Sequence, residues 1–166
     1  FPRKMILGDY RDGELVFAQT SDAAITRTAT ARVLDPTTGG GLSALRVVDG
    51  TRAWYAEPPP CGPTPNCSPA QSAALTVIPG VLFSGSMDGH LRAYSARDGK
   101  VIWDVDTTRE YETVNGVKAK GGAIDGPGAI VVNGMVFLNS GYTRQGGMAG
   151  NVLLGMTVDP PLLPDH

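Results

Sequence analysis

The residues whose type and spacing suit them to chemistry are Cys61 and Cys67, the only cysteines of the 166 residues, six positions apart in EPPPCGPTPNCSP (57–69). Six prolines in thirteen residues keep this stretch out of any sheet ladder and make it a surface loop or polyproline excursion between folded segments. Stiffened in this way, the loop holds its two thiols near one another. A disulfide is the expected product, and it implies an oxidising compartment, periplasmic or secreted; two free thiols in a cytosolic chain are the other reading. Haem attachment would require Cys-x-x-Cys-His, which the sequence lacks, so no haem is expected on this chain. Zinc needs ligands at set spacings, and the two histidines, His90 and His166, are not so placed. His90 follows a turn as a surface residue, and Arg92, Arg97 and Arg109 stand scattered with no visible partner.

Net charge narrows the partners. Fourteen Lys and Arg against sixteen Asp and Glu leave −2, with no basic run and no basic–aromatic interleaving, so nucleic acid is excluded as a partner. No apolar run approaches the ~20 residues of a membrane helix, and FPRKMILGD at the start lacks a signal-peptide core.

The elements that must carry any site are short strands. GVLFSGSMDGHLRAYSARDGKVIW (80–103) divides at Asp88-Gly89 and Asp98-Gly99 into β-rich pieces, a three-strand meander. Ala44, Gly50 and Trp54 repeat as Ala93, Gly99 and Trp103, forty-nine positions later. GMVFLNSGY (134–142) matches GVLFSGSMD, and MILGDYRDGELVFA places Asp12-Gly13 on Asp88-Gly89 as a fourth copy. A four-strand unit repeating at forty-odd residues is a propeller blade. The expected fold is therefore all-β, a partial propeller of three to four blades. The blade segments are about 1–20, 35–56, 70–107 and 121–159, joined at 57–69 by the proline-rich loop. Only twenty-seven residues separate Gly13 from Gly40, so a strand pair is expected to be missing from that interval. Ser21–Leu34 is the best helical stretch, but it is threonine-rich and lacks an apolar stripe. YTRQGGMAG (142–150) reads as an insertion in the last blade, and DPPLLPDH as the end of its sheet. Propellers close with ~4–8 blades, so the remaining blades must come from further polypeptide or another chain.

The spacing Ala-x5-Gly-x3-Trp resembles the tryptophan-docking motif of quinoprotein alcohol dehydrogenases, eight-bladed propellers that bind pyrroloquinoline quinone (PQQ). Arg46 and Ser95 stand where that family usually has Asp. More extensively, GGGLSALRVVDGTRAWYAEPPPCG, CSPAQSAALTVIPGVLFSGSMDGHLRAYSARDGKVIWD, GGAIDGPGAIVVNGMVFLNSGY and GGMAGNVLL, covering most of 35–155, resemble the C-terminal part of polyvinyl alcohol dehydrogenase-like quinoproteins. The resemblance implies a PQQ-type propeller, oxidation of secondary alcohols, small or polymeric, with electrons passed to a cytochrome c, and a periplasmic location.

Such a reaction needs a carboxylate to take the alcohol proton, a cation near the quinone and flat residues around it, all at the starts of inner strands or on the loops of one face. Asp125 is the only carboxylate so placed and is the catalytic candidate, although Asp before Gly-Pro is also a turn former. Gln71, Ser72, Gly121, Gly122 and Asn139 are the cofactor-binding candidates. Calcium, if it accompanies the quinone, would draw on Asn139 and Asp125. Lys118 and Lys120 either steer an anionic cofactor or belong to a solvated loop. A non-catalytic propeller that serves as a protein-binding scaffold, and a short chain that self-associates to close a ring, are the competing readings.

Overall fold

The computed structural model describes residues 4–10, 13–142 and 146–157, and among them no helix forms. Three antiparallel sheets follow one another along the chain. The first pairs Lys4–Tyr10, Gly13–Gln19, Leu42–Arg46 and Arg52–Ala56 in that order; the second pairs Thr76–Ile78, Val81–Gly85, His90–Ser95 and Val101–Asp106; the third pairs Ile130–Val132, Met135–Ser140 and Val152–Thr157. The leading strand of the second sheet touches the leading strands of both the first and the third. Leading strands set side by side, with each sheet running outward from them, are the arrangement of propeller blades about an axis.

The alternation of side chains within strands explains the stacking. In His90–Ser95, Leu91 and Ala93 point to one face, Arg92 and Tyr94 to the other, and all four are buried. Tyr94, Leu82 and Leu75 pack with Phe17, Leu42 and Ala44 of the first sheet. Leu91, Ala93 and Phe83 pack with Ile124, Ala129 and Leu138 leading into and within the third. A smaller cluster of Leu34, Ala70, Met87 and Ala123 closes one end.

The repeated Ala and Trp acquire a geometric meaning. Ala44 lies directly across from Trp54, and Ala93 from Trp103, and in each sheet the register slips at that pair. A small residue is needed opposite the indole. Trp54 then reaches the second sheet, where its Nε1 donates to the Ala96 carbonyl at 3.0 Å and its ring covers Gly99, at which a Cβ would stand 2.5 Å from the ring. The docking expected of this residue is present.

Two expectations change. Residues 4–19 and 42–56 form one sheet, not the halves of two blades. Gly13 opens the second strand of its sheet and so corresponds to the start of Val81–Gly85, just after Gly80, and not to Gly89; Asp12 lies outside the described residues. Twenty-seven residues thus separate Gly13 from Gly40 where nine separate Gly80 from Gly89. The interval holds an insertion instead of lacking a strand pair, and part of it is the hairpin Ile25–Arg27 with Arg32–Leu34. The second difference concerns the innermost strands. AQSAALTV and AIDGPGAIVV do not run as single strands, because each breaks before its sheet begins, leaving Ser72–Ala73 and Asp125–Gly126 as a separate pair. The remainder of the YTRQGGMAG insertion at 143–145, and the end at 158–166, lie outside the described residues.

Candidate functional site

The strand register puts one set of connections at one end of the sheets. Gln19 pairs with Leu42 and Leu42 with Ala56; His90 pairs with Asp106; Ser140 pairs with Val152. Segments 20–41, 57–75, 86–89, 107–129, 141–142 and 146–151 therefore share one face, as the loops of a propeller's functional face must. Repeated backbone bonds tie them. Gln71 N donates to Thr20 O at 3.3 Å and Ile124 N to Ser86 O at 3.0 Å, while Met87 N donates to Ala70 O at 2.9 Å and Gly141 N to Ala123 O at 3.0 Å.

On this face Ser72–Ala73 and Asp125–Gly126 pair in parallel, Ser72 opposite Asp125. Two positions fifty-three apart in sequence, each just upstream of a leading strand, thus become neighbours roughly 5 Å apart. Both are half-buried. Ser72 Oγ hydrogen-bonds Ser21 Oγ at 2.9 Å, and Asp125 forms no ion pair among the described residues. The pair can offer a carboxylate and a hydroxyl to a ligand at the mouth of the leading strands.

The other candidates lie elsewhere. Gln71 is 2% exposed and turns inward, its Nε2 donating to Tyr94 Oη at 3.0 Å. Gly121 and Gly122 serve close packing, since a Cβ on Gly121 would stand 1.6 Å from Thr107 O and one on Gly122 2.3 Å from Met148 O. Gly122 N donates to Ser140 Oγ at 2.9 Å. Asn139 is exposed, in the Met135–Ser140 strand opposite Leu153. Lys118 and Lys120 are exposed on or beside the small ribbon of Glu110–Tyr111 with Ala119–Lys120. Cys61 and Cys67 are bonded, with Cα atoms 5.9 Å apart.

Sequence reasoning missed a charged cluster at this end. Arg92, 4% exposed, meets Asp88 Oδ2 through Nη2 at 2.7 Å and Asp104 Oδ2 through Nε at 3.1 Å. Its Nη1 also donates to Ser86 Oγ at 3.1 Å, and Ser86 Oγ in turn donates to Asp88. His90 Nδ1 lies 2.7 Å from the other oxygen of Asp104. Burial works against the Arg92 charge, but the bond and charge of Asp88, with Asp104 behind it, outweigh burial and raise its pKa further. The alternation of His90, Arg92 and Tyr94 on one strand face was the available signal.

Beside this cluster, burial pushes the Tyr94 hydroxyl up to about 12 from its ordinary 10.0, with Arg92 opposing. A proton held more tightly when folded stabilises the fold below pH 10, and that contribution is lost as pH rises through about 12. Tyr94→Phe should lack this alkaline loss in urea melts taken from pH 9 to 12. At neutral pH it should cost about 1–3 kcal/mol, because the buried Gln71 amide loses its acceptor. An alkaline transition unchanged in the variant would assign it to another group.

These features define a β-propeller segment with a carboxylate and a hydroxyl set together on its loop face. Comparison with known families then places it: the PQQ_2 family, described as outer membrane protein assembly factor BamB, matches residues 2–151, and the chain belongs to that family. Two enzymes are similar in sequence. The polyvinylalcohol dehydrogenase of a Pseudomonas species is 45% identical over 132 residues, covering 72% of this chain and 20% of that protein. The polyvinylalcohol dehydrogenase of Sphingopyxis sp. (strain 113P3) is 41% identical over 133 residues, with the same coverage. The chain thus spans about a fifth of the length of these relatives. Among solved structures, the quinohemoprotein alcohol dehydrogenase of Comamonas testosteroni aligns with a TM-score of 0.46 at 23% identity, covering 73% of this chain and 19% of that one.

Proposed function

We propose that this chain is a portion of a PQQ-dependent dehydrogenase that oxidises secondary alcohols, polymeric ones included, and passes electrons to a cytochrome c in the periplasm. The observation that carries the reading is the Ser72–Asp125 pair, on a chain 41–45% identical to two polyvinylalcohol dehydrogenases. The cytochrome and the compartment follow from the family resemblance, and the Cys61–Cys67 disulfide agrees with an oxidising location.

The residues present fit one edge of a quinone site. Asp125 supplies a carboxylate acceptor and Ser72 a hydroxyl donor where a ligand over the leading strands would meet them. The flat floor and the cation would come from further blades, because Trp54 is engaged in joining sheets and Arg92 in its buried cluster. Bound PQQ supplies the two-electron acceptor. Within this chain, Asp125 takes the alcohol proton on a carboxylate oxygen, and Ser72 Oγ holds the alcohol or carboxylate in line through a hydrogen bond. A calcium ion at this edge would need its ~6–8 oxygen ligands completed by groups beyond Asp125.

The test is Asp125→Asn in the intact protein supplied with PQQ and calcium. Turnover of a secondary alcohol should fall about a hundredfold, the scale of a lost general base, with the melting temperature unchanged. A scaffold that binds no quinone is the second reading, favoured by the description of the matching family. It would show as an absence of quinone absorbance after PQQ is added and excess removed.

A further inference from the structure

A cavity of about 410 Å³ beside Trp103, lined also by Val81, Gly134 and Thr157, lies toward the opposite end of the sheets, whereas a second, of about 360 Å³, is walled by two connections of the loop face. One loop is the proline-rich segment 57–69, which the disulfide closes on itself; the other is the tight turn at 35–41. Pro36, Pro58, Pro60 and Pro69 line the cavity together with Thr37, Gly39 and Gly62, so the main-chain N–H groups of the two glycines are the donors its wall can offer. The two loops are fitted to each other, since a Cβ on Gly40 would meet the Pro69 carbonyl at 2.3 Å and the Pro58 ring at 2.7 Å. The volume lies within the ~300–1,000 Å³ typical of ligand sites.

The chemistry of the wall is one-sided. Proline carries a carbonyl acceptor and aliphatic ring carbons but no N–H. Thr37 adds no free donor, because its N and its Oγ1 both donate to Asp35 Oδ1, at 2.8 and 2.6 Å. No Lys, Arg or His lines the cavity. A site rich in acceptors and aliphatic surface, and poor in donors and cations, disfavours carboxylates and phosphates and suits a ligand that brings its own donors on a hydrocarbon frame. From Pro69 the chain runs two residues to Gln71 and then to Ser72, so the wall and the Ser72–Asp125 pair stand on one connection.

We propose that the disulfide-closed proline wall is a binding subsite for the hydroxylated aliphatic chain of a polymeric alcohol, holding segments beyond the unit being oxidised. This deepens the alcohol-oxidising reading, on which the choice of ligand rests. Stiffening by prolines and the disulfide lowers the ordering cost of binding a flexible chain.

The test is direct binding, by calorimetry and saturation-transfer NMR, to the intact protein without PQQ. The probes are an oligo(vinyl alcohol) of about ten units, its O-methylated form, oligoacrylate, and pentane-2,4-diol. The oligomer should bind, and the O-methylated and anionic chains should bind at least about tenfold more weakly. Pro60→Arg, which puts a cationic side chain on an exposed part of the wall, should weaken the oligomer about tenfold while leaving the diol's oxidation and the melting temperature unchanged. The Cys61→Ala/Cys67→Ala pair should weaken it without moving oxidation of the diol. Equal binding of the O-methylated chain, or an unchanged affinity in Pro60→Arg, overturns the subsite. Oligomer binding that obeys these rules without any quinone-dependent oxidation leaves the subsite standing and sinks the reaction instead.

Discussion

Arg92→Ala should destabilise the fold by about 3–5 kcal/mol, the scale of breaking a buried ion pair by removing one partner. Arg92 and Asp88 are 4% and 7% exposed, so truncating the arginine strands a carboxylate where water cannot reach it. Its bond to Ser86 and its reach to the half-exposed Asp104 are lost with it. The ion pair as a whole need not be stabilising, because two charges have been taken out of water to form it. Arg92→Met combined with Asp88→Asn should therefore recover most of what Arg92→Ala loses. Asp88 Oδ1 also accepts the His90 N–H at 2.9 Å, and asparagine keeps an acceptor there. Urea denaturation of the parent and the two variants decides the matter. A single-variant cost under about 1 kcal/mol would mean that water reaches the pair in solution.

Trp54→Ala should cost a comparable ~3–5 kcal/mol, through a different mechanism. Its ring packs against Phe17 with centroids 5.9 Å apart and lies over Gly99 of the next sheet, so truncation opens a gap between two blades. Trp54→Phe keeps much of the volume but leaves the Ala96 carbonyl without its donor, and should cost less. Gly99→Ala tests the same contact from the other side. A methyl there would stand 2.5 Å from the indole, at a backbone φ of +70° that an L side chain adopts poorly. Thermal melts of the three should rank Trp54→Ala and Gly99→Ala far below Trp54→Phe. If Trp54→Ala melts within a few degrees of the parent, the first two sheets are held by the Phe17, Leu42 and Tyr94 core alone.

The two sites of largest effect differ in how far the sequence reveals them. Trp54 is visible because the repeat brings the same three residue types back forty-nine positions later, and each acts through a local requirement: a small residue opposite the indole, a positive φ at the turn, a ring at the sheet edge. Arg92 looks partnerless in sequence, since Asp88 and Asp104 meet it only once two strands pair and a turn folds back. The insertion at 20–41 is hidden in the sequence for a related reason. An Asp-Gly pair signals a hairpin turn but not which turn of the blade it is, and strand order settles that.

By itself the sequence determined the all-β repeat, the docking tryptophan and the Cys61–Cys67 bridge, because each depends on residues close in the chain or on one motif recurring at a fixed period. Tertiary structure alone decided that Ser72 and Asp125 lie side by side, that Gln71 turns inward to Tyr94, and that prolines from two loops enclose a donor-poor cavity. Those relations join residues more than twenty positions apart. No local propensity encodes them, and they exist only once neighbouring sheets stack and their connections are pressed onto one face.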